Sequence, residues 1–146
     1  MPSYSFKDVT ATLVGPTGSI ELGYGSAAAE EGIDVAAASD KNTMTVAADG
    51  EGMHSLHADK SGQITFRLLK TSPANRKLMV AYDAQALSAS LWGKNIITIS
   101  NTAAADLHVA RECAFKKKPN MKYAKDGDII EWVFDCIKID SVLGTY

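Results

Sequence analysis

The sequence predicts a mainly β, antiparallel domain carrying one α-helix at about residues 73–89, and three features point to it. From Gln63 the residues Ile64, Phe66 and Leu68 fall at period two, with Gln63, Thr65 and Arg67 opposite, the pattern of a half-buried strand. Ser72 then offers an N-cap oxygen and Pro73 suits a first helical turn, where no amide donor is needed. Finally, Asp128 to Ile139 places Ile130, Trp132, Phe134 and Cys136 on one face and Ile129, Val133, Ile137 and Ile139 mainly on the other. A strand apolar on both sides needs covering on both sides.

The elements follow in order. Tyr4 to Val14 alternates, with Val9, Ala11 and Leu13 on one face and Thr10 and Thr12 on the other. Gly15-Pro16-Thr17-Gly18 is a turn by composition, and Ile20 and Leu22 begin a short return strand. Ala27 to Glu31 tolerates a helix, but Gly32 interrupts it, and Ile33 and Val35 alternate with Asp34, so 32–37 reads as a strand. Another strand is expected at Thr43–Ala48, followed by a polar, glycine-punctuated excursion over Asp49 to Ser61. So much polar chain between strands marks a binding or assembly loop. Leu78, Met79 and Tyr82 carry the helix, and Trp92-Gly93 makes a corner. Asn95–Asn101, Leu107–Lys117 and Asp128–Ile139 supply the remaining strands, the last two joined through Pro119, Tyr123 and Gly127.

Composition narrows the function. The length of 146 residues suits one domain spanning 1–146, with no repeat or low-complexity linker to divide it. The apolar share is 46%, but 21 of those residues are alanine, so the monomer core is modest and subunit contacts are expected to add stability. A net charge of −2 offers no broad basic field for nucleic acid. Cys113 and Cys136 have neither disulfide-framework nor metal spacing and read as buried reduced thiols. No charged leader opens the chain, and no apolar run approaches the roughly 18 residues of a membrane span, which points to assembly in the cytoplasm.

Catalytic and metal patterns are weak. His54 and His57 in HSLHAD could share a helical face, yet no third ligand stands out. His108 is a lone strand histidine, no Gly-x-Ser-x-Gly elbow is present, and no phosphate-cradling loop appears. No enzyme, cofactor or metal site is assigned. Lys116, Lys117 and Lys118 form the basic cluster, with only Phe115 and Tyr123 nearby as stacking candidates.

The strings YSFKDVTATLVGPTGSIELGYG, EEGIDV, DKNTMTVAADGEGMHSLH and FKKKPNMKYAKDGDIIEWVFDCIKIDSVLG resemble the tail tube proteins of contractile-tailed bacteriophages, over nearly the whole chain. The resemblance implies an antiparallel β-sandwich or barrel with one flanking helix, stacked as hexameric rings around a channel for DNA in the virion tail. Its implied partners are further copies of itself, the tail sheath, the baseplate and the tape-measure protein, with DNA passing without sequence recognition. A type VI secretion tube shares the implied fold and is one alternative; a monomeric β-sandwich binding module is another, and a small hydrolase using one of the histidines a third.

Under the tube reading, Glu51, Met53, His54, Leu56, His57, Asp59 and Lys60 of the excursion are expected to contact the adjacent ring. Met53 and Leu56 would be the apolar anchors. Gln63, Thr65, Glu131 and Asp135 are candidates for the channel lining, because Lys and Arg would hold a polyanion through counterion release and impede sliding. Lys116, Lys117 and Lys118 are then assigned to the exterior, facing the sheath.

Overall fold

The computed structural model describes residues 2–146, apart from the side chains of 29–31. A 3-10 turn at Phe6–Asp8 leads into β1 (Val9–Gly15), β2 (Gly18–Glu21), β3 (Ala28–Ala37), β4 (Asn42–Val46), β5 (Gly52–Leu56) and β6 (Gly62–Leu69). Helix α1 (Pro73–Gln85), β7 (Asn95–Asn101), β8 (Asp106–Phe115) and β9 (Ile129–Val142) complete the order. Seven strands form one sheet, β2-β1-β7-β8-β9-β6-β3, in which every pairing is antiparallel; β4 and β5 form a separate hairpin. This is the mainly β, one-helix architecture expected.

One hydrophobic core explains how a single sheet suffices. Leu13, Ile97, Phe115, Trp132, Phe134, Phe66 and Ile64, drawn from β1, β7, β8, β9 and β6, join Ile20 of β2 and Leu78 and Ala81 of α1 in the same cluster. The sheet therefore curves around one core, and α1 packs into that core through Leu78 and Ala81. Phe115 is the hub of the aromatics: its ring lies 4.7 Å from Phe134, 5.5 Å from Tyr82 and 5.9 Å from Trp132. The Trp132 indole N–H donates to Asn75 Oδ1 at 3.0 Å and ties α1 to the middle of the sheet.

Several boundaries differ from expectation for identifiable reasons. Lys7 N donates to the Ser5 hydroxyl, which caps the 3-10 turn, so β1 starts at Val9 rather than Tyr4. Strand β3 begins at Ala28, four residues before the expected 32, because Gly32 at φ 65° serves an irregularity in the β3–β6 pairing between Ala28 and Ile33. Ser72 caps α1 as expected, through Ala74 N, but the helix ends at Gln85 instead of 89. Gln85 is fully buried whereas Leu87 is 84% exposed, and beyond it Ser90 N turns to the Ser88 hydroxyl. Residues 86–89 thus have no apolar face to hold against the core.

At that same end lies a buried amide pair. Gln85 Nε2 donates to Asn95 Oδ1 (2.9 Å), and Asn95 Nδ2 returns a bond to Gln85 Oε1 (2.8 Å). The Asn95 amide also donates to the Cys113 carbonyl, and the Gln85 amide to the Thr17 hydroxyl. All side-chain polar atoms buried among the described residues are hydrogen-bonded, as a stable interior requires. Gly15 faces this pair, and a Cβ there would overlap Asn95 Oδ1.

Candidate assembly surfaces

The excursion expected as a polar loop over residues 49–61 instead holds the turn and the second strand of a β-hairpin arm, with 57–61 at its root. Strand β4 pairs with β5 in the register Asn42↔Leu56, Thr43↔Ser55, Met44↔His54, Thr45↔Met53 and Val46↔Gly52. Gly50 N donates to the Ala47 carbonyl and Gly50 sits at φ 94°, the left-handed position that follows a tight turn in such hairpins. Ala47 N bonds back to the Glu51 carbonyl, and Glu51 N to Asp49 Oδ1. The signal was present in the Asp49-Gly50 step between two alternating segments.

Directly opposed residues share a face, so Asn42, Met44, Val46, His54 and Leu56 lie on one side of the arm and Thr43, Thr45, Met53 and Ser55 on the other. Only Ser55 of the arm's strands is even half-buried. Met44, Val46, Met53 and Leu56 are 63%, 56%, 60% and 81% exposed. Met44 and Val46 were not among the expected contact residues, because Thr43–Ala48 read as an ordinary strand. A two-stranded hairpin bare on both sides is marginal in water and gains order by packing against something else.

The expected contact residues divide between this arm and its root. Glu51 is in the turn, and Met53, His54 and Leu56 are on the shaft. His57, Asp59 and Lys60 anchor the root. The His57 ring bonds to Thr43 Oγ1, and His57 N to the Lys41 carbonyl. Asp59 accepts from the Ser39 hydroxyl at 2.7 Å and from Ser61 N at 2.8 Å, and the Ser61 side chain, then Ser39 and the Ser61 amide, hold its carboxyl down at about 2. Lys60 meets Asp140 at 3.4 Å, and Asp140 also meets Arg111 at 3.0 Å. Residues 54 and 57 take separate partners, Asn42 Nδ2 donating to His54 Nδ1, and the segment is strand rather than the helix a His-x-x-His site would need. Among the described residues no group of three or more His, Cys, Asp or Glu is arranged to hold a metal.

Gln63, Thr65, Glu131 and Asp135 come together on the outer face of adjacent strands. Strand β6 pairs with β9 so that Gln63 opposes Asp135, Thr65 opposes Val133 and Arg67 opposes Glu131. Gln63 Nε2 donates to Asp135 at 3.0 Å, while Arg67 is gripped by Asp34 (2.6 Å) and Glu131 (3.4 Å). The same outer face exposes Val14, Ile96, Ile129 and Ile137, each more than two-fifths exposed. Ile129 and Ile137 are second-face apolar positions of the long final strand, and Val14 and Ile96 are paired positions of β1 and β7.

Lys116, Lys117 and Lys118 are exposed at the start of the β8–β9 connection. Lys117 lines a depression with Pro119, Asp128, Glu131 and Val133, so this one lysine of the cluster adjoins a candidate lining residue, Glu131. The connection is pinned by Lys70, whose ammonium donates to the Lys122 carbonyl and sits 3.9 Å from the Tyr123 ring centroid. Phe115 is core, which removes it as a base-stacking platform, and Trp132 is 1% exposed, which removes it from any exposed aromatic surface. No helix among the described residues is long and apolar enough to cross a membrane.

Solved structures share this fold. The sheath/tube terminator of an extracellular contractile injection system (PVC, extended state) superposes with a TM-score of 0.66 at 13% identity, covering 97% of this chain and 98% of that one. A chain of the PVC sheath-tube complex gives 0.62 at 12% identity, with 97% and 92% covered. A chain of the six-fold symmetrised baseplate of the anti-feeding prophage gives 0.61 at 7% identity, with 97% and 96% covered. No curated protein sequence matches the chain. The family model described as "Bacteriophage PhiTE tail tube protein" matches residues 1–144, so a sheet wrapped on one core with an arm bare on both faces is here a structural component of the phage tail and not an enzyme: the chain belongs to the PhiTE tail tube protein family.

Proposed function

We propose that this chain is the repeating subunit of a contractile-tail tube, closing into hexameric rings that stack through the β4–β5 arm and enclose a channel for DNA. The arm carries the reading. It displays Met44, Val46, Met53 and Leu56 to solvent, and each would gain roughly 1–2 kcal/mol on burial against another copy. The outer-face aliphatics and the open edges β2 and β3 supply further surface for copies within a ring, where closure limits growth in the plane. Six-fold symmetry is that of the contractile baseplate whose chain shares the fold. Sheath and baseplate are the proposed neighbours of the finished tube, and the tape-measure protein and DNA its contents.

The channel is assigned to Gln63, Thr65, Glu131 and Asp135. Arg67, on the same face, has its charge matched by Asp34 and Glu131, which keeps the surface from gripping phosphates. Because Lys117 adjoins Glu131, Lys117 is assigned to the border of that surface, and a sheath-facing role falls to Lys116 and Lys118.

Electron microscopy of the purified chain tests the proposal. Hollow filaments with six-fold cross-sections are expected. A Met44→Asp/Leu56→Asp variant should keep the wild-type circular dichroism and lose stacking by 100-fold or more in concentration, the order of the roughly 3 kcal/mol removed. Filaments of normal length from that variant would refute the role of the arm. Solitary wild-type particles of 15.6 kDa at high concentration would refute the subunit reading itself.

A further inference from the structure

We infer that Cys113 and Cys136 form a modification site: a cross-strand dithiol that a small peroxide converts reversibly into an intrachain disulfide between β8 and β9. The two residues oppose each other directly in the β8–β9 register, one inward-facing pair along from Phe115↔Phe134. Both are free thiols, 0% and 3% exposed, with their sulfurs 2.9 Å apart. Bond formation asks for an approach of about 0.9 Å, to the covalent length near 2.05 Å. Side-chain rotation supplies that, since the register already holds the two Cα positions opposite.

The chemistry balances with hydrogen peroxide as oxidant. The Cys136 sulfur, the less enclosed of the two, attacks one peroxide oxygen and becomes a sulfenic acid, releasing one water. The Cys113 sulfur then displaces the sulfenic oxygen, which leaves with the remaining proton as a second water. Two thiols are oxidised by two electrons, and one peroxide is reduced. Before reaction Cys113 and burial keep the Cys136 thiol protonated, its titration pushed far up, so the dithiol is inert until β8 and β9 part briefly.

The bond would close the loop 113–136, which contains the whole exposed β8–β9 connection, and would staple the middle of the sheet. A rise in melting temperature of roughly 5–10 °C follows from the chain entropy removed. The test needs only the purified chain, assembled or not. Exposure to hydrogen peroxide should remove the mass of two hydrogens, abolish alkylation by iodoacetamide in denaturant, raise the melting temperature and reverse with dithiothreitol. Cys113→Ala and Cys136→Ala should each show none of the four. As a second route, the unfolded chain refolded in a glutathione redox buffer should recover with both thiols consumed. A folded wild-type protein that keeps two alkylatable thiols by both routes, or that yields only cross-linked pairs of chains, overturns the inference.

Discussion

The Gln85–Asn95 pair makes a sharp prediction about how buried polarity stabilises this core. Both side chains are fully buried, and two of their four hydrogen bonds run between them. Gln85→Leu removes both mutual bonds and leaves Asn95 Oδ1 without a protein donor at a fully buried site. A lost buried bond is worth about 1 kcal/mol and a stranded polar atom about 1–3 kcal/mol, so the single change should destabilise by roughly 2–4 kcal/mol. Asn95→Leu strands Gln85 Oε1 in the same way and frees the Cys113 carbonyl as well, for a similar loss. The double variant removes both stranded groups and replaces them with apolar volume. Its loss should therefore be about that of one single variant rather than the sum, a coupling of roughly 2–4 kcal/mol. Urea denaturation of the four proteins, in conditions where the chain is monomeric, gives the cycle directly. If the two losses simply add, the pair is not a mutually satisfied unit and the reasoning fails.

Other expectations follow from the same structure. Trp132→Phe keeps an aromatic ring in the core but loses the bond to Asn75 and part of the ring volume; the urea midpoint should show a loss of about 1.5–3 kcal/mol, and a change under 0.5 kcal/mol would contradict it. Asp59 carries a carboxyl lowered from 3.8 to about 2 by Ser61 and Ser39. A carboxyl lowered by folding stabilises above its unfolded value and ceases to do so as pH falls through its folded one, so the arm's root should loosen as pH falls from 3.8 toward 2. The protection of the Ser61 amide, relative to its intrinsic exchange rate at each pH, should fall across that window in wild type and be reduced at neutral pH in Asp59→Ala; protection that ignores both changes would refute the anchor. Gly15→Ala should be among the most damaging surface-strand substitutions, because its methyl meets Asn95 Oδ1; an unchanged melting temperature would show that the amide pair can move aside.

Much of the fold was legible because the chain's strongest patterns coincide with what is buried. Ile64, Phe66 and Leu68, and Ile130, Trp132 and Phe134, alternate in the sequence and line the core in the structure. Local signals decided α1 equally well, since Ser72 and Pro73 act within one turn. Non-local matters were less readable. The end of α1 depends on where Gln85 finds Asn95, ten residues away, and no local pattern announces a buried amide pair. The arm was misjudged because its strands bury nothing: Met44 and Val46 look like core residues when alternation alone is read. Its Asp49-Gly50 turn was the better guide. The lining candidates converged on one face because period two fixes sidedness, whereas the lysines' nearness to Glu131 depends on how the β8–β9 connection folds back, which composition does not encode.

The order of strands in the sheet has a consequence for biogenesis. Strand β9 comes after every other strand in the chain, yet it lies between β8 and β6. Until it emerges, the nascent polypeptide holds two unconnected fragments, β2-β1-β7-β8 and β6-β3, neither with a complete interior. On the proposed tube reading, a subunit whose β9 has not yet paired lacks the joined sheet that packs against neighbours within a ring, so ring closure would follow the docking of β9.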